Sequence, residues 1–276
     1  MSAKIKITCL IDNTVSFGSG YWGEHGLSFY IESNGVRVLL DTGQTEEVLS
    51  HNLKVAGIDL DGLDAIVLSH GHYDHTGGLR EAAGRAGKVR IVVHPAAFES
   101  KYARKEGKFK EIGIPFGQSE LKEHCELVQA SDSIELGGGV FTTGEVKRVT
   151  SYELPHPDLM VDQNGSLIAD PVRDDQSIVI DAGDDLILLC GCCHAGIVNT
   201  IEHVKNKFGK YPVLVAGGLH MANVSEERME RSIAALKQAG IKKIIPGHCS
   251  GREVLLRASE AGIDAEPLSA GMKLEF

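Results

Sequence analysis

The stretch "LSHGHYDHTGG" (68–78) places His70, His72, Asp74 and His75 within six residues, directly after the apolar run Ala65-Ile66-Val67. His70 and His72 are two apart, so extended backbone projects them the same way. Asp74 and His75 follow in a turn that ends at Gly77-Gly78. Neutral imidazole and carboxylate together suit zinc, manganese or iron, and the order H-x-H-x-D-H can serve two ions at once. A polar loop that happens to be rich in histidine is the plain alternative. The clustering at one strand end argues against it, because lone histidines are common and such groups are not.

The flanking elements must aim these side chains. "KIKITCLID" (4–12) reads as a strand, and "LSFYIES" (27–33) with "VRVLLDTG" (36–43) flank Asn34-Gly35, a strong hairpin signal. "EEVLSHNLKVAG" (46–57) has helical spacing, "LDAIVLSH" (63–70) reads as a strand, "GLREAAGRAG" (78–87) as a helix and "VRIVVHP" (89–95) as a strand. Further on, "QSIVIDAGDDLILLCG" (176–191) has a two-strand pattern turning at Gly183-Asp184. Helices over 196–208, 225–240 and 251–262 then alternate with strands 212–218 and 241–247. Residues 97–172, Gly- and Pro-containing and carrying "KYARKEGKFKEIG" (101–113), are too long for a plain loop. They are expected to form a lid-like insertion within a single domain spanning 1–276.

Weaker candidates lie at other strand ends and loops. His220 closes "PVLVAGGLH" at the same end of its strand as His194 and His248 do of theirs, and it is a candidate wall or catalytic residue. Glu24 and His25 border the Gly-rich loop "SFGSGYWGEHG" (16–26) and could reach the site.

Composition narrows the partners. A net charge of −10 with no basic block argues against a nucleic-acid backbone, and no apolar stretch approaches the roughly 18 residues of a membrane helix. Strand-like alternation starts at once, leaving no signal-peptide core. Three of the six cysteines crowd into Cys190-Gly191-Cys192-Cys193, a poor layout for a disulfide framework, so a reducing, cytoplasmic setting is expected.

"HGHYDHTGG", with "VRVLLDTG" before it, resembles the signature of the metallo-β-lactamase fold superfamily. The resemblance implies an α/β, four-layer αββα sandwich. Within that superfamily "EHGLSFYIE", "FTTGEVKR", "DDQSIVI", "GCCHAGIVN", "GGLH" and "HCSG" are similar to the subgroup that contains the 7,8-dihydropterin-6-yl-methyl-4-(β-D-ribofuranosyl)aminobenzene 5′-phosphate synthases. The resemblance assigns His70 and His72 to one metal, Asp74 and His75 to another, and His248 as the ligand completing the second. Asp41 corresponds to an aspartate that orients a ligand histidine through its other ring nitrogen. The superfamily usually adds a third histidine and a bridging aspartate. Here Cys192 stands at the aspartate's place, and Arg173, Asp174 and Asp175 stand where the histidine belongs. His194 is the expected replacement ligand, with Cys192 as a thiolate bridge or Asp175 as ligand the alternatives.

One or two divalent ions are therefore expected, zinc first, with manganese, iron or magnesium as alternatives. Their substrate would be a small phosphorylated molecule, with no nucleic acid and no membrane as partner, and the chain could assemble as a homo-oligomer. Arg148 and Arg173 are the cations expected to grip phosphate, with the start of the 196–208 helix as the alternative anion site. Two reactions fit: hydrolysis, with Asp74 both ligand and proton acceptor, and transfer, with an arylamine displacing diphosphate from a pterin methyl diphosphate. A metal-binding sensor or docking protein with little turnover is the third reading, and its mark would be a site missing ligands.

Overall fold

The computed structural model describes residues 5–122 and 125–276, so His124 lies outside the described residues. Alternating apolar residues sort onto two faces along each central strand. In Leu186–Cys190, Ile187 and Leu189 join one buried cluster, while Leu186, Leu188 and Cys190 join another. In Ala65–Val67 and the residue after it, Ala65 and Val67 face that first cluster, while Ile66 and Leu68 face a third. A strand apolar on both faces must be covered on both. The chain meets this demand with two seven-stranded sheets packed face to face and helices on each outer side.

The first sheet runs Lys273–Glu275, Ile5–Ile11, Ser28–Ser33, Val36–Leu40, Ala65–Val67, Val89–Val93, Cys125–Gln129. Helices Glu46–Ala56 and Leu79–Ala86 cover its outer face. The second runs Asp264–Ala265, Lys243–Gly247, Leu214–Gly218, Leu186–Cys190, Ser177–Asp181, Val140–Thr142, Glu135–Gly137. Helices Ile197–Phe208, Glu226–Gln238 and Glu253–Glu260 cover it. This is the expected four-layer αββα sandwich. Asn34 and Gly35 both take positive φ (49° and 86°), the turn that an Asn-Gly hairpin requires. Thr45 and Ser225 cap their helices by accepting from the amides of Val48 and Arg228. Among the described residues no helix is long and apolar enough to cross a membrane.

The expected insertion over 97–172 needs correction. Cys125–Gln129 is an edge strand of the first sheet, and Glu135–Gly137 and Val140–Thr142 are edge strands of the second. These strands are short and mixed in polarity, because an edge of a sheet needs less apolar surface than its centre. Only the two hairpins around them stand apart. Lys101–Lys105 with Lys108–Glu111, and Leu159–Gln163 with Ser166–Ala169, pair into a separate four-stranded antiparallel sheet.

Close packing of the second sheet's parallel centre depends on Gly217. It has φ +109°, and a Cβ there would lie 2.0 Å from the carbonyl oxygen of Cys190. Gly217→Ala is expected to cost about 3 kcal/mol. Gly209→Ala, at φ +81° with open space around the added Cβ, should cost only about 1 kcal/mol. Urea unfolding midpoints of the two variants check the difference.

Candidate metal centre

Four loops meet at one end of the sandwich, each at the C-terminal end of a strand. The one after Val36–Leu40 carries Asp41, the one after Ala65–Val67 carries His70 to His75, the one after Leu186–Cys190 carries Cys192 and His194, and the one after Lys243–Gly247 carries His248. Asp41, Cys193, His220 and His248 adopt φ of 57°, 57°, 50° and 50°. Each left-handed non-glycine residue costs roughly 1–2 kcal/mol. Backbone strain of this kind is characteristic of functional sites.

The buried Asp41 carboxylate organises the first loop. It accepts from the Ser69 amide (2.7 Å), the Ser69 hydroxyl (2.6 Å) and His75 Nδ1 (2.7 Å). Each consequence for a ring nitrogen follows from counting protons. The Ser69 hydroxyl spends its one proton on Asp41, so at 2.9 Å His70 Nδ1–H must donate to Ser69 Oγ, leaving a lone pair on His70 Nε2. His75 Nδ1–H donates to Asp41, which turns its Nε2 toward the cleft. Across the cleft, His248 Nδ1 donates to Asn13 Oδ1 at 3.0 Å, so its Nε2 also faces inward.

Two main groups of candidate ligands result, and Cys192, His220 and Cys249 form a further one beside them. The ligand-capable atoms of His70, His72 and His194 lie within 4.8 Å of one another, all three residues buried. His72 Nε2 and His194 Nε2 are buried without a hydrogen-bond partner. A buried imidazole nitrogen with no partner is costly, and a metal ion is the partner whose chemistry these donors fit. In the second group, Asp74 Oδ2 lies 3.7 Å from His75 Nε2, 3.4 Å from His248 Nε2 and 3.3 Å from His25 Nε2. His75 Nε2 and His248 Nε2 are 3.2 Å apart. Cys192, within 4.8 Å of His70 and His75 through their ligand atoms, stands between the groups.

Electrostatics suits this division. Burial, and then the neighbouring imidazoles, hold His70 and His194 well below the ordinary histidine range. Burial lowers His72 to about 4. All three are therefore neutral near pH 7, the form that binds metal. For Asp74 burial acts upward, but His75 and His248 outweigh it and hold the carboxyl well below its usual range. Burial likewise opposes a charged His75, yet the Asp41 and Asp74 carboxylates raise it to about 9, so a metal ion there would have to displace the proton on its Nε2.

The segment Asp174-Asp175-Gln176 stitches the two halves of this centre together. Asp174 accepts from the Gly71 amide (2.7 Å), and Asp175 from the Ala195 amide (2.8 Å). The Gln176 amide and side chain donate to the carbonyls of Ser69 and Leu68, both at 2.9 Å. Asp175 thus holds the loop that carries His194, and burial pushes its carboxyl up to about 6. Lys101, buried in the small sheet, donates to Asp174 (2.8 Å) and Asp170 (3.0 Å). The small sheet's hairpin also accepts the Tyr73 amide on the Ile112 carbonyl.

Several expected site residues are placed differently. Arg148 is no free phosphate ligand: its guanidinium donates to the carbonyls of Glu153, Ala195, Pro171 and His194. Arg173 is 53% exposed at its side chain and lies 3.6 Å from Glu99. The N-terminus of Ile197–Phe208 is filled by the Glu153 carboxylate, which accepts from the amides of Val198 and Asn199. Glu24 accepts from Gln44, Thr45 and the Thr45 hydroxyl, so it braces a loop instead of entering the site. His25 does reach it. His220 lines the wall, its ring centroid 4.4 Å from that of His194 and its Nδ1 3.6 Å from Cys192 Sγ. Sequence reasoning missed Asn13, Asp12, which accepts the His248 amide, and the Lys101 pair. Each reaches the site through contacts remote in the chain.

Comparisons with known proteins follow the same lines. Residues 21–160 match the family model of the metallo-β-lactamase superfamily. The 7,8-dihydropterin-6-methyl-4-(β-D-ribofuranosyl)-aminobenzene-5′-phosphate synthase of Methanocaldococcus jannaschii is 35% identical over 99% of this chain and 97% of its own. Among solved structures, a metal-dependent hydrolase of the β-lactamase superfamily superposes with a TM-score of 0.86 at 27% identity, covering 99% of both chains. The metallo-β-lactamase fold protein YhfI of Bacillus subtilis shares the fold, with a TM-score of 0.60 at 15% identity over 99% of both.

The Lys101 network generates a stability prediction. Lys101→Met strands two buried carboxylates, so it is expected to cost about 3–5 kcal/mol at pH 7. Burial alone would raise the Asp174 carboxyl, and Lys101 holds it below its ordinary value. In the wild type that pairing stabilises the fold above the unfolded carboxyl pKa of about 4, and the benefit fades as pH falls. In the variant the carboxyl titrates upward, so its penalty already fades above about pH 4, between the raised value and the unfolded one, before the wild-type benefit is lost. Urea unfolding of both proteins should therefore show their difference shrinking from pH 7 to about pH 4.

Proposed function

The chain belongs to the metallo-β-lactamase superfamily, and on that premise we propose that it is a metal-dependent enzyme acting on a small phosphorylated, pterin-type substrate. The observation that carries this reading is the pair of buried, unpartnered nitrogens of His72 and His194, facing His70 in one ligand-sized group. His70, His72 and His194 would hold one ion, and Asp74, His75 and His248 the second. Bound there, one or two divalent ions, zinc first with manganese, iron or magnesium as alternatives, would supply charge neutralisation at phosphoryl oxygens.

The reaction we favour is transfer, in keeping with the kinship to the dihydropterin–aminobenzene phosphate synthase. An arylamine nitrogen attacks the methylene carbon of a pterin methyl diphosphate. The new C–N bond forms as the C–O bond breaks, and diphosphate leaves with that bond's electron pair. In this reading His220 takes the proton from the amine nitrogen, and its position beside His194 at the cleft wall supports that role. His25, 3.3 Å from Asp74, orients that carboxylate from the open side. The small sheet, anchored to the ligand loop through Lys101 and Ile112, serves as the cover that keeps water from competing with the amine.

Metal analysis together with turnover tests the reading. His194→Ala is expected to lose one equivalent of metal and at least about 100-fold in rate, since Lewis-acid stabilisation is worth several kcal/mol. Cys192→Ser should retain near-normal metal, because its loss leaves both three-residue groups whole. Diphosphate release should require the arylamine. Release at the same rate without amine would make the enzyme a hydrolase, and wild-type protein that binds no divalent ion would overturn the reading altogether.

A further inference from the structure

The cations first suspected of binding phosphate are spoken for, which raises the question of where a phosphoryl group beyond the metal groups would be held. We propose that it is held by Arg228, with His220 and His156 beside it. The proposal rests on the reading that the substrate is phosphorylated, and it adds the residue that recognises that group.

Arg228 lies in the first turn of Glu226–Gln238, a helix whose other arginine is matched to a carboxylate. Arg231 pairs with Glu227 at 3.0 Å, and the nearby Glu226 is taken by Arg257. Among the described residues Arg228 has no ion pair within 4.0 Å. Its one side-chain hydrogen bond there runs from Nη2 to the His220 carbonyl at 3.3 Å, and its Nε is buried without a partner. A guanidinium bound at one corner keeps most of its donor fork available, and that fork matches phosphate oxygens two at a time.

Location gives the free fork its meaning. The His220 carbonyl fixes Arg228, and the His220 ring sits 4.4 Å from that of the candidate ligand His194. On the other side the His156 ring, supplied by the 97–172 segment, is 6.2 Å from His220. Arg228 therefore continues the wall outward from the metal groups, and His156 brings the covering segment to the same corner. The buried Glu153 carboxylate, which feels the charge of Arg228 but forms no ion pair with it within 4.0 Å, already accepts from the amides of Val198 and Asn199. It therefore does not consume the arginine's donors. A phosphoryl group seated here would lie next to the metal groups without competing for their ligands. The same chemistry fits two sources, a terminal phosphomonoester and a diphosphate.

Calorimetric titration with inorganic phosphate and with pyrophosphate tests the site, on metal-loaded protein and again on chelator-treated protein. Arg228→Met is expected to weaken binding of at least one anion about 10- to 100-fold, the worth of a charge-assisted pair. Arg228→Lys should fall between, because an ammonium restores charge but not the fork. Metal content should match the wild type in both variants, and Arg173→Met should bind like the wild type. A loss confined to phosphate assigns the corner to a monoester, and a loss confined to pyrophosphate assigns it to the diphosphate; both support the proposal. Unchanged affinity for both anions in Arg228→Met, or a loss in Arg173→Met instead, overturns it. The chelator-treated titration judges Arg228 even if the wild type binds no metal, so failure of the metal reading and failure of this site are told apart.

Discussion

A single buried carboxylate carries much of this architecture. Asp41 sits at the end of one strand and accepts three hydrogen bonds from the neighbouring strand's loop, at 2.6–2.7 Å. Charge-assisted hydrogen bonds are worth about 1.5–3 kcal/mol each, and without them the carboxylate would be an unpaired charge in a dry interior. The interaction therefore tolerates little movement of Ser69 or His75. Through Ser69 it also sets the proton on His70, and directly it sets the proton on His75. One group thus fixes the position of a loop and the direction in which two ring Nε2 atoms face.

The other half of the centre is held by the same device on a different scaffold. Asp174 and Asp175 each spend a carboxylate on a backbone amide, one beside His70 and one beside His194. The pair lies in the turn before Ser177–Asp181, where the Asp175 amide donates to the Val172 carbonyl, and from that turn the two consecutive side chains reach two different loops. Both are buried, so these ties carry the same penalty for failure as Asp41. The strained backbones of Asp41, Cys193, His220 and His248 persist because such ties over-determine them.

What the sequence reveals depends on whether an interaction is local. His70 to His75 were legible because four ligand-type residues fall in six positions, and the central strands were legible because they are short, continuous apolar runs. Asn34-Gly35 announces its turn for a similarly local reason. Lys101 was not legible. In "KYARKEGKFK" it looks like one more solvated cation, and its partners Asp170 and Asp174 lie about seventy residues away. Arg148 misled in the opposite sense: its charge suggested phosphate, but its donors close loops by binding carbonyls. The 125–142 strands were read as part of a lid because edge strands lack the continuous apolar runs that mark a sheet's centre.

The charge of the candidate ligand set bears on what such a centre would bind. His70, His72, His194, His75 and His248 are imidazoles, and Asp74 is the one carboxylate among the six. Two divalent ions held by this set would keep an excess of positive charge in a buried cleft, where the effective dielectric is low and attraction for an anion is strong. Cys192 moderates that excess little, since burial and the neighbouring Cys249 sulfur, 3.1 Å away, push its thiol up. A centre so constituted is better matched to a phosphoryl dianion than to a neutral ester or amide. Arg228, held on the His220 carbonyl, would extend the same excess outward along that wall, against an overall charge of −10.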